Sequence, residues 1–179
     1  MKRLLVLGAG TAGTMAVNKL RPKLPEDEWN ITVVEPRDTH YYQPGYLFIP
    51  FGTYTPDEVV KPTKKFIPAG VDTISGEAEK VVADENKVLL TDGRELRYDY
   101  LIIASGTTPR PDQTPGMAED EWHKSIYDFY TYEGTCALAE KLKTWEGGRL
   151  VIHITEMPIK CPVAPLEFTF LADAFFEEK

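Results

Sequence analysis

The residues with chemical potential stand towards the two ends of the chain. Near the start, Gly8-Ala9-Gly10-Thr11-Ala12-Gly13 spaces its glycines as Gly-x-Gly-x-x-Gly, with an apolar run before it and helix-compatible residues after it. In that setting Gly8 permits a tight turn, Gly10 lets the backbone approach a diphosphate, and Gly13 lets helix and strand pack closely. The N–H groups of the first helical turn, with Thr11 and Ala12 in it, offer donors and a partial positive charge to phosphate oxygens. Glu35 follows Gly13 by 22 residues. Its carboxylate suits a ribose hydroxyl and opposes a 2′-phosphate, with Pro36 and Arg37 beside it. The ligand class is an adenine dinucleotide; the bland alternative is a glycine-rich turn that binds nothing.

Near the other end the run Thr155 to Pro165 contains no glycine and three prolines, Pro158, Pro162 and Pro165. Proline lacks an N–H and restricts the backbone, so a second dinucleotide in the usual pose is not expected there. Cys161 occupies this loop, just ahead of a helix. A helix N-terminus can lower a thiol pKa, which makes Cys161 the leading redox candidate. The alternative is a packed loop cysteine. Glu167, in the first helical turn, is an acid/base candidate that also suits the helix dipole on its own.

The elements that must position these groups are legible in part. Leu4 to Leu7 reads as a strand buried on both faces of a parallel sheet. A helix over Thr14 to Leu20 is closed by Pro22 and Pro25, and Asn30 to Val34 is a second strand, completing a βαβ unit. Pro36 to Gly52 reads as an aromatic-rich loop with little regular structure. Its tyrosines and phenylalanines (Tyr41, Tyr42, Tyr46, Phe48 and Phe51) suit either a cofactor cover or packing onto the domain. Thr55 and Pro56 open a short helix. Val71 to Ser75, Glu77 to Ala83 and Lys87 to Thr91 read as an antiparallel set. Asp92-Gly93 turns it into Arg94 to Tyr98. Tyr100 to Ala104 is another buried strand ending on Ser105 and Gly106. After a linker, Thr107 to Gly116, a helix is expected over Thr131 to Thr144, a strand over Arg149 to Thr155, and a last helix from near Leu166. The fold class is α/β. Residues 1–112 form a Rossmann-like domain with an inserted antiparallel β piece, and residues 113–179 open a second Rossmann-like domain.

Composition narrows the functions. The chain has 179 residues, 42% hydrophobic and 27% charged, enough for one core and a fraction of another. A net charge of −8 opposes general nucleic-acid binding. No apolar run approaches the ~18 residues of a membrane span, and no signal peptide is read at the start. The two cysteines, Cys136 and Cys161, do not make a disulfide framework and read as thiols. Cys136, among Ala137, Leu138 and Leu142, reads as a packed structural residue. His40, His123 and His153 have no metal-ligand spacing, so no metal is expected; His40 is placed at the loop and His153 in the core.

Four segments together carry a resemblance. They are Gly8 to Gly13; Glu35-Pro36-Arg37-Asp38-Thr39-His40-Tyr41-Tyr42-Gln43-Pro44-Gly45; Ala104-Ser105-Gly106; and Pro158-Ile159-Lys160-Cys161-Pro162-x-Ala164-Pro165-x-Glu167. The chain resembles the sulfide:quinone oxidoreductases, a branch of the flavoproteins with two dinucleotide-binding domains, over essentially its whole length. The resemblance implies FAD as cofactor, sulfide and quinone as substrates, and sulfide oxidation through a cysteine thiolate with electrons leaving by way of FAD. It implies that Cys161 is a redox cysteine and Glu167 an acid/base group. Gln43 and Pro44 would then lie near the flavin ring, the Ala78 backbone near the adenine, and Ser105 and Gly106 near the nucleotide. A peripheral membrane contact and a homo-oligomer are compatible with it, as is a cytoplasmic or membrane-peripheral location.

Two departures accompany it. Tyr127 stands where the family generally has another redox cysteine. The last helix also carries no stop signal before Lys179, so the expectation is one part of a longer fold. Rival readings are a type II NADH:quinone dehydrogenase and a redox-silent FAD-binding fragment.

Overall fold

A computed structural model describes residues 1–178, and any continuation of the last helix onto Lys179 lies outside them. The backbone divides into two compact units. One comprises residues 1–41 and 60–107; the other comprises 42–59 and the chain from Thr108 onward.

The first unit is built around β1 (Lys2–Leu7), α1 (Thr11–Leu20) and β2 (Trp29–Glu35). Two short strands follow, β3 (Thr39–Tyr41) and β4 (Val60–Pro62), and pair antiparallel. Then come β5 (Asp72–Ser75), β6 (Ala78–Val82), β7 (Lys87–Leu90), β8 (Glu95–Arg97) and β9 (Tyr100–Ile103). The parallel sheet has the order β5-β2-β1-β9, and β6-β7-β8 form a separate antiparallel sheet.

The continuous apolar run of β1 has a physical reason. Alternate residues of a strand face opposite sides. Leu4 and Val6 pack with Val17 of α1, Ile31 and Val33, whereas Leu5 and Leu7 pack with Val34, Val88, Leu90 and Tyr98. The helix thus covers one face of the sheet and the antiparallel piece covers the other. Val6, Val17, Ile31 and Val33 are fully buried, and each such side chain stabilises the fold by roughly 1.5–3 kcal/mol.

Three expectations for this unit are corrected. Tyr100 to Ala104 forms β9 but not as a buried strand: it is the edge strand beside β1, and Tyr100 and Ile103 are exposed because no further strand covers them among the described residues. Val71 to Ser75 does not join the antiparallel set: β5 pairs parallel with β2, Thr32 opposite Asp72 and Glu35 opposite Ser75. Pairing is decided by which edge is free, here the outer edge of β2, and a run of four residues does not encode that choice. The first helix also starts earlier than expected, at Thr11 rather than Thr14, because extended Gly10 already serves as its N-cap.

The second unit holds α2 (Tyr132–Thr144) and α3 (Ala164–Glu178). Thr131 caps α2, its side-chain oxygen accepting the Gly134 N–H at 3.0 Å. The stretch read as a loop is more regular than expected, since Gln43–Phe51 coils as a 3₁₀ segment closed by left-handed Gly52. Its aromatics pack onto the helices. Phe51 lies 5.1 Å from Phe168 and 5.7 Å from Phe175, and Tyr46 lies 6.1 Å from Tyr132. Thr135, fully buried, donates its hydroxyl to the Tyr46 carbonyl at 2.5 Å. Leu47, Leu138, Leu142, Phe168 and Ala172 form the core.

The strand expected over Arg149 to Thr155 does not form. Among the described residues this unit offers no other strand, and an apolar run becomes a strand only beside a ladder partner. Leu150, Val151 and Ile154 stay exposed, and so does His153, which is therefore not a core residue.

Candidate functional site

The fingerprint sits where the sequence places it. Leu7 ends β1, and the Gly8 N–H donates to the Val34 carbonyl at 2.8 Å. The Ala104 N–H donates to the Leu7 carbonyl at the same distance, which brings the end of β9 against the turn. Gly8 has a φ of +99°, and a Cβ there would lie 2.4 Å from the Ala104 oxygen. A Cβ on Gly13 would lie 1.9 Å from the Gly8 oxygen. Both glycines are therefore demanded by the protein itself.

Gly10 is different. Its φ of −70° is open to any residue, and a Cβ there would meet nothing within 4 Å. The fold gives no reason for a glycine at this position; a ligand approaching the backbone does. The start of α1 supports that fit. No side chain caps it, its first turn carries no acidic residue, and Thr11 and Ala12 are exposed. The four N–H groups at a helix start have no intrahelical partner and are available to an anion. The donor set thus suits a diphosphate.

Glu35 ends β2 almost buried. One carboxylate oxygen accepts the Ala9 N–H at 2.7 Å. The other accepts the Arg37 N–H at 3.1 Å and lies 3.5 Å from the Arg37 guanidinium. His40 contacts the Ala9 carbonyl through Nδ1 at 3.0 Å and packs against Phe66 at 4.3 Å between ring centres. Pro36, Ser105 and Gly106 are exposed, and Gly106 is left-handed at φ +77°. Ala78 is exposed at the start of β6, opposite Leu90, next to a register shift. The fingerprint, Glu35, Pro36, Arg37, Ala78, Ser105 and Gly106 all belong to the first unit.

The second cluster lies in the second unit. Cys161 is exposed, with a left-handed φ of +50°, and precedes the first helical residue of α3 by three positions. Its carbonyl accepts the Ala164 N–H at 3.0 Å and the Tyr130 hydroxyl at 3.2 Å. Lys160 donates to the side-chain carbonyl of Gln43, which with Pro44 opens the 3₁₀ segment. Glu167 is exposed in the first turn of α3. Tyr130 was not singled out by the sequence, since no motif marks a tyrosine 31 residues from the loop that it ties down. Burial, followed by the charges of Cys161 and Glu167, pushes its hydroxyl pKa up.

Cys136 is half-buried in α2, and burial pushes its thiol pKa up. Tyr127 donates its hydroxyl to the Lys124 carbonyl. Among the described residues no group of His, Cys, Asp or Glu side chains could hold a metal ion, and no helix is long and apolar enough to cross a membrane.

Comparison with known proteins assigns the chain to a family. The family model for pyridine nucleotide-disulphide oxidoreductases matches residues 2–152. The chain belongs to this family. Among curated members, a mitochondrial sulfide:quinone oxidoreductase of Dictyostelium discoideum is 27% identical over 177 residues, 98% of this chain and 39% of that protein. One of Mus musculus is 27% identical over 175 residues, 98% of this chain and 38% of that protein. The chain thus spans about two fifths of the length of these relatives. The X-ray structure of the sulfide:quinone oxidoreductase from Aquifex aeolicus covers 80% of this chain with a TM-score of 0.65 at 23% identity. The match takes in 32% of that chain. This last likeness bears on the fold, which is the Rossmann-like α/β fold of the family.

Proposed function

We propose that this member of the family is an FAD-dependent oxidoreductase that takes electrons from sulfide and delivers them to a quinone. The fingerprint glycines and the first turn of α1 hold the diphosphate of the cofactor. Glu35 takes the ribose hydroxyls, with Ala78, Ser105 and Gly106 flanking the nucleotide and Gln43 and Pro44 facing the flavin ring. When bound, FAD supplies the two-electron redox chemistry. Cys161 presents an exposed thiol for sulfide sulfur, and Glu167 moves protons beside it. Tyr130 and the Lys160–Gln43 contact fix the loop, so that the thiol is held rather than free. Sulfide and quinone are the substrates by kinship with the named relatives, and quinone use places the working protein at a membrane surface.

One observation carries the choice of sulfide over a pyridine nucleotide: the exposed thiol of Cys161 lies in a proline-rich, glycine-free loop that offers no phosphate cradle. The test is to mix the FAD-loaded protein, without oxygen, with sulfide and separately with NADH, and to follow the visible flavin band. Bleaching by sulfide and not by NADH is expected. Bleaching by NADH alone would overturn the reading in favour of a type II NADH:quinone dehydrogenase.

A further inference from the structure

The peptide between Ala9 and Gly10 lies at the centre of the fingerprint turn, and its carbonyl meets a side chain from outside the motif. Gly10 has no Cβ and open space around it, and its own carbonyl, which belongs to the following peptide, accepts the Thr14 N–H at 3.0 Å and the Thr14 hydroxyl at 2.9 Å. The Ala9 N–H belongs to the preceding peptide and is already committed to Glu35. The Ala9–Gly10 peptide itself is contacted by His40, whose Nδ1 lies 3.0 Å from the Ala9 carbonyl. A carbonyl can only accept, so Nδ1 is the donor and carries the proton. In a trans peptide the C=O and N–H point in opposite directions. Fixing the Ala9 carbonyl therefore fixes the direction of the Gly10 N–H, for which no acceptor is found among the described residues. The Phe66 ring packs against the imidazole at 4.3 Å between ring centres, tilted by 36°.

We propose that His40 is a positioning residue of the fingerprint. Through Nδ1–H it locks the Ala9–Gly10 peptide so that the Gly10 N–H is aimed at the cofactor diphosphate before the cofactor arrives. Preorganisation of this kind raises affinity by removing the cost of ordering the donor at the moment of binding. The inference rests on the proposed use of the fingerprint as a dinucleotide site. It adds a residue that the glycine motif does not contain.

The test uses ADP as the probe, followed by titration calorimetry on the wild-type protein and two variants. His40→Phe keeps an aromatic ring on Phe66 and removes the donor. His40→Asn places an amide N–H near the position of Nδ1. ADP binding is expected to weaken about three- to tenfold in His40→Phe, the effect of one hydrogen bond. In His40→Asn it is expected to return to within about twofold of wild type, again a fraction of one bond. Thermal melts of the unliganded proteins serve as the second readout. Equal affinity in His40→Phe and wild type overturns the proposal, as does a loss of affinity that the Asn variant fails to restore or that merely follows the loss of melting temperature. Absence of ADP binding by the wild-type protein overturns the dinucleotide reading itself and takes this proposal with it. Binding by wild type with no effect of His40→Phe removes His40 alone.

Discussion

The buried carboxylate of Glu35, at the end of β2, accepts the N–H of Ala9 at 2.7 Å across 26 residues of sequence. One side chain thereby ties the tip of the second strand to the turn after the first. The acidic residue of the fingerprint is a structural brace as well as a candidate ribose ligand.

This double role predicts a double effect. Glu35→Ala leaves the Ala9 N–H without its partner and is expected to lower stability by about 1–3 kcal/mol in urea unfolding. Glu35→Gln keeps an acceptor but loses the charge. It is expected to narrow the preference for ADP over its 2′-phosphorylated counterpart in competition binding, because less negative charge then opposes the extra phosphate.

The glycines separate protein needs from ligand needs. Gly13→Ala drives a Cβ into the Gly8 carbonyl and is expected to lose more than about 2 kcal/mol of stability. Gly10→Ala places its Cβ in open space. It is expected to leave stability within about 1 kcal/mol of wild type while abolishing ADP binding. Urea melts beside calorimetric titrations read both effects.

These contrasts show how far the sequence could be read. Buried parallel strands are continuous apolar runs, so β1 and β2 are plain in the sequence, and the helix between them follows from the glycines and prolines around it; β9 forms as a strand but sits at the sheet edge with Tyr100 and Ile103 exposed, which an apolar run alone does not reveal. Where pairing depends on a distant edge the signal vanished: Asp72 to Ser75 contains one large apolar residue and looked the same for either sheet. Leu150 to Ile154 failed for the opposite reason, because an apolar run is equally strand-like with or without a neighbour to pair with. In the site, the fingerprint and Cys161 were visible as motifs. The His40 contact with Ala9 and the Tyr130 tie to Cys161 were not, since both span 31 residues and neither partner's type announces the other.

The two thiols should differ in reactivity. Cys161 is exposed, whereas Cys136 is half-buried with its pKa raised by burial. Because the thiolate is the nucleophile, iodoacetamide near neutral pH is expected to label Cys161 at least about tenfold faster. Peptide mass spectrometry over a time course checks the order; equal rates would contradict it.

At the edge of the parallel sheet, Arg3 of β1 grips Asp99, just before β9, through its guanidinium and its backbone N–H. These hydrogen bonds from Arg3 hold the Asp99 carboxyl at about 2, below its ordinary 3.8. A carboxylate with a depressed folded pKa stabilises the fold above its unfolded pKa, and that contribution fades as pH falls through the window from about 4 to 2. The pair is exposed and its effect small. The melting temperature of Asp99→Asn should therefore lie slightly below wild type near pH 7, with the gap closing towards pH 2. A gap that widens in acid would contradict the pairing.

Cys161 is proposed above as the sulfide-reactive thiol of a flavoprotein. Its most direct test is Cys161→Ser in the FAD-loaded protein, with bound FAD quantified first and flavin reduction by sulfide then followed without oxygen. Undiminished FAD content and loss of sulfide-driven flavin reduction are expected. Sulfide-driven reduction at the wild-type rate in the serine variant would contradict it.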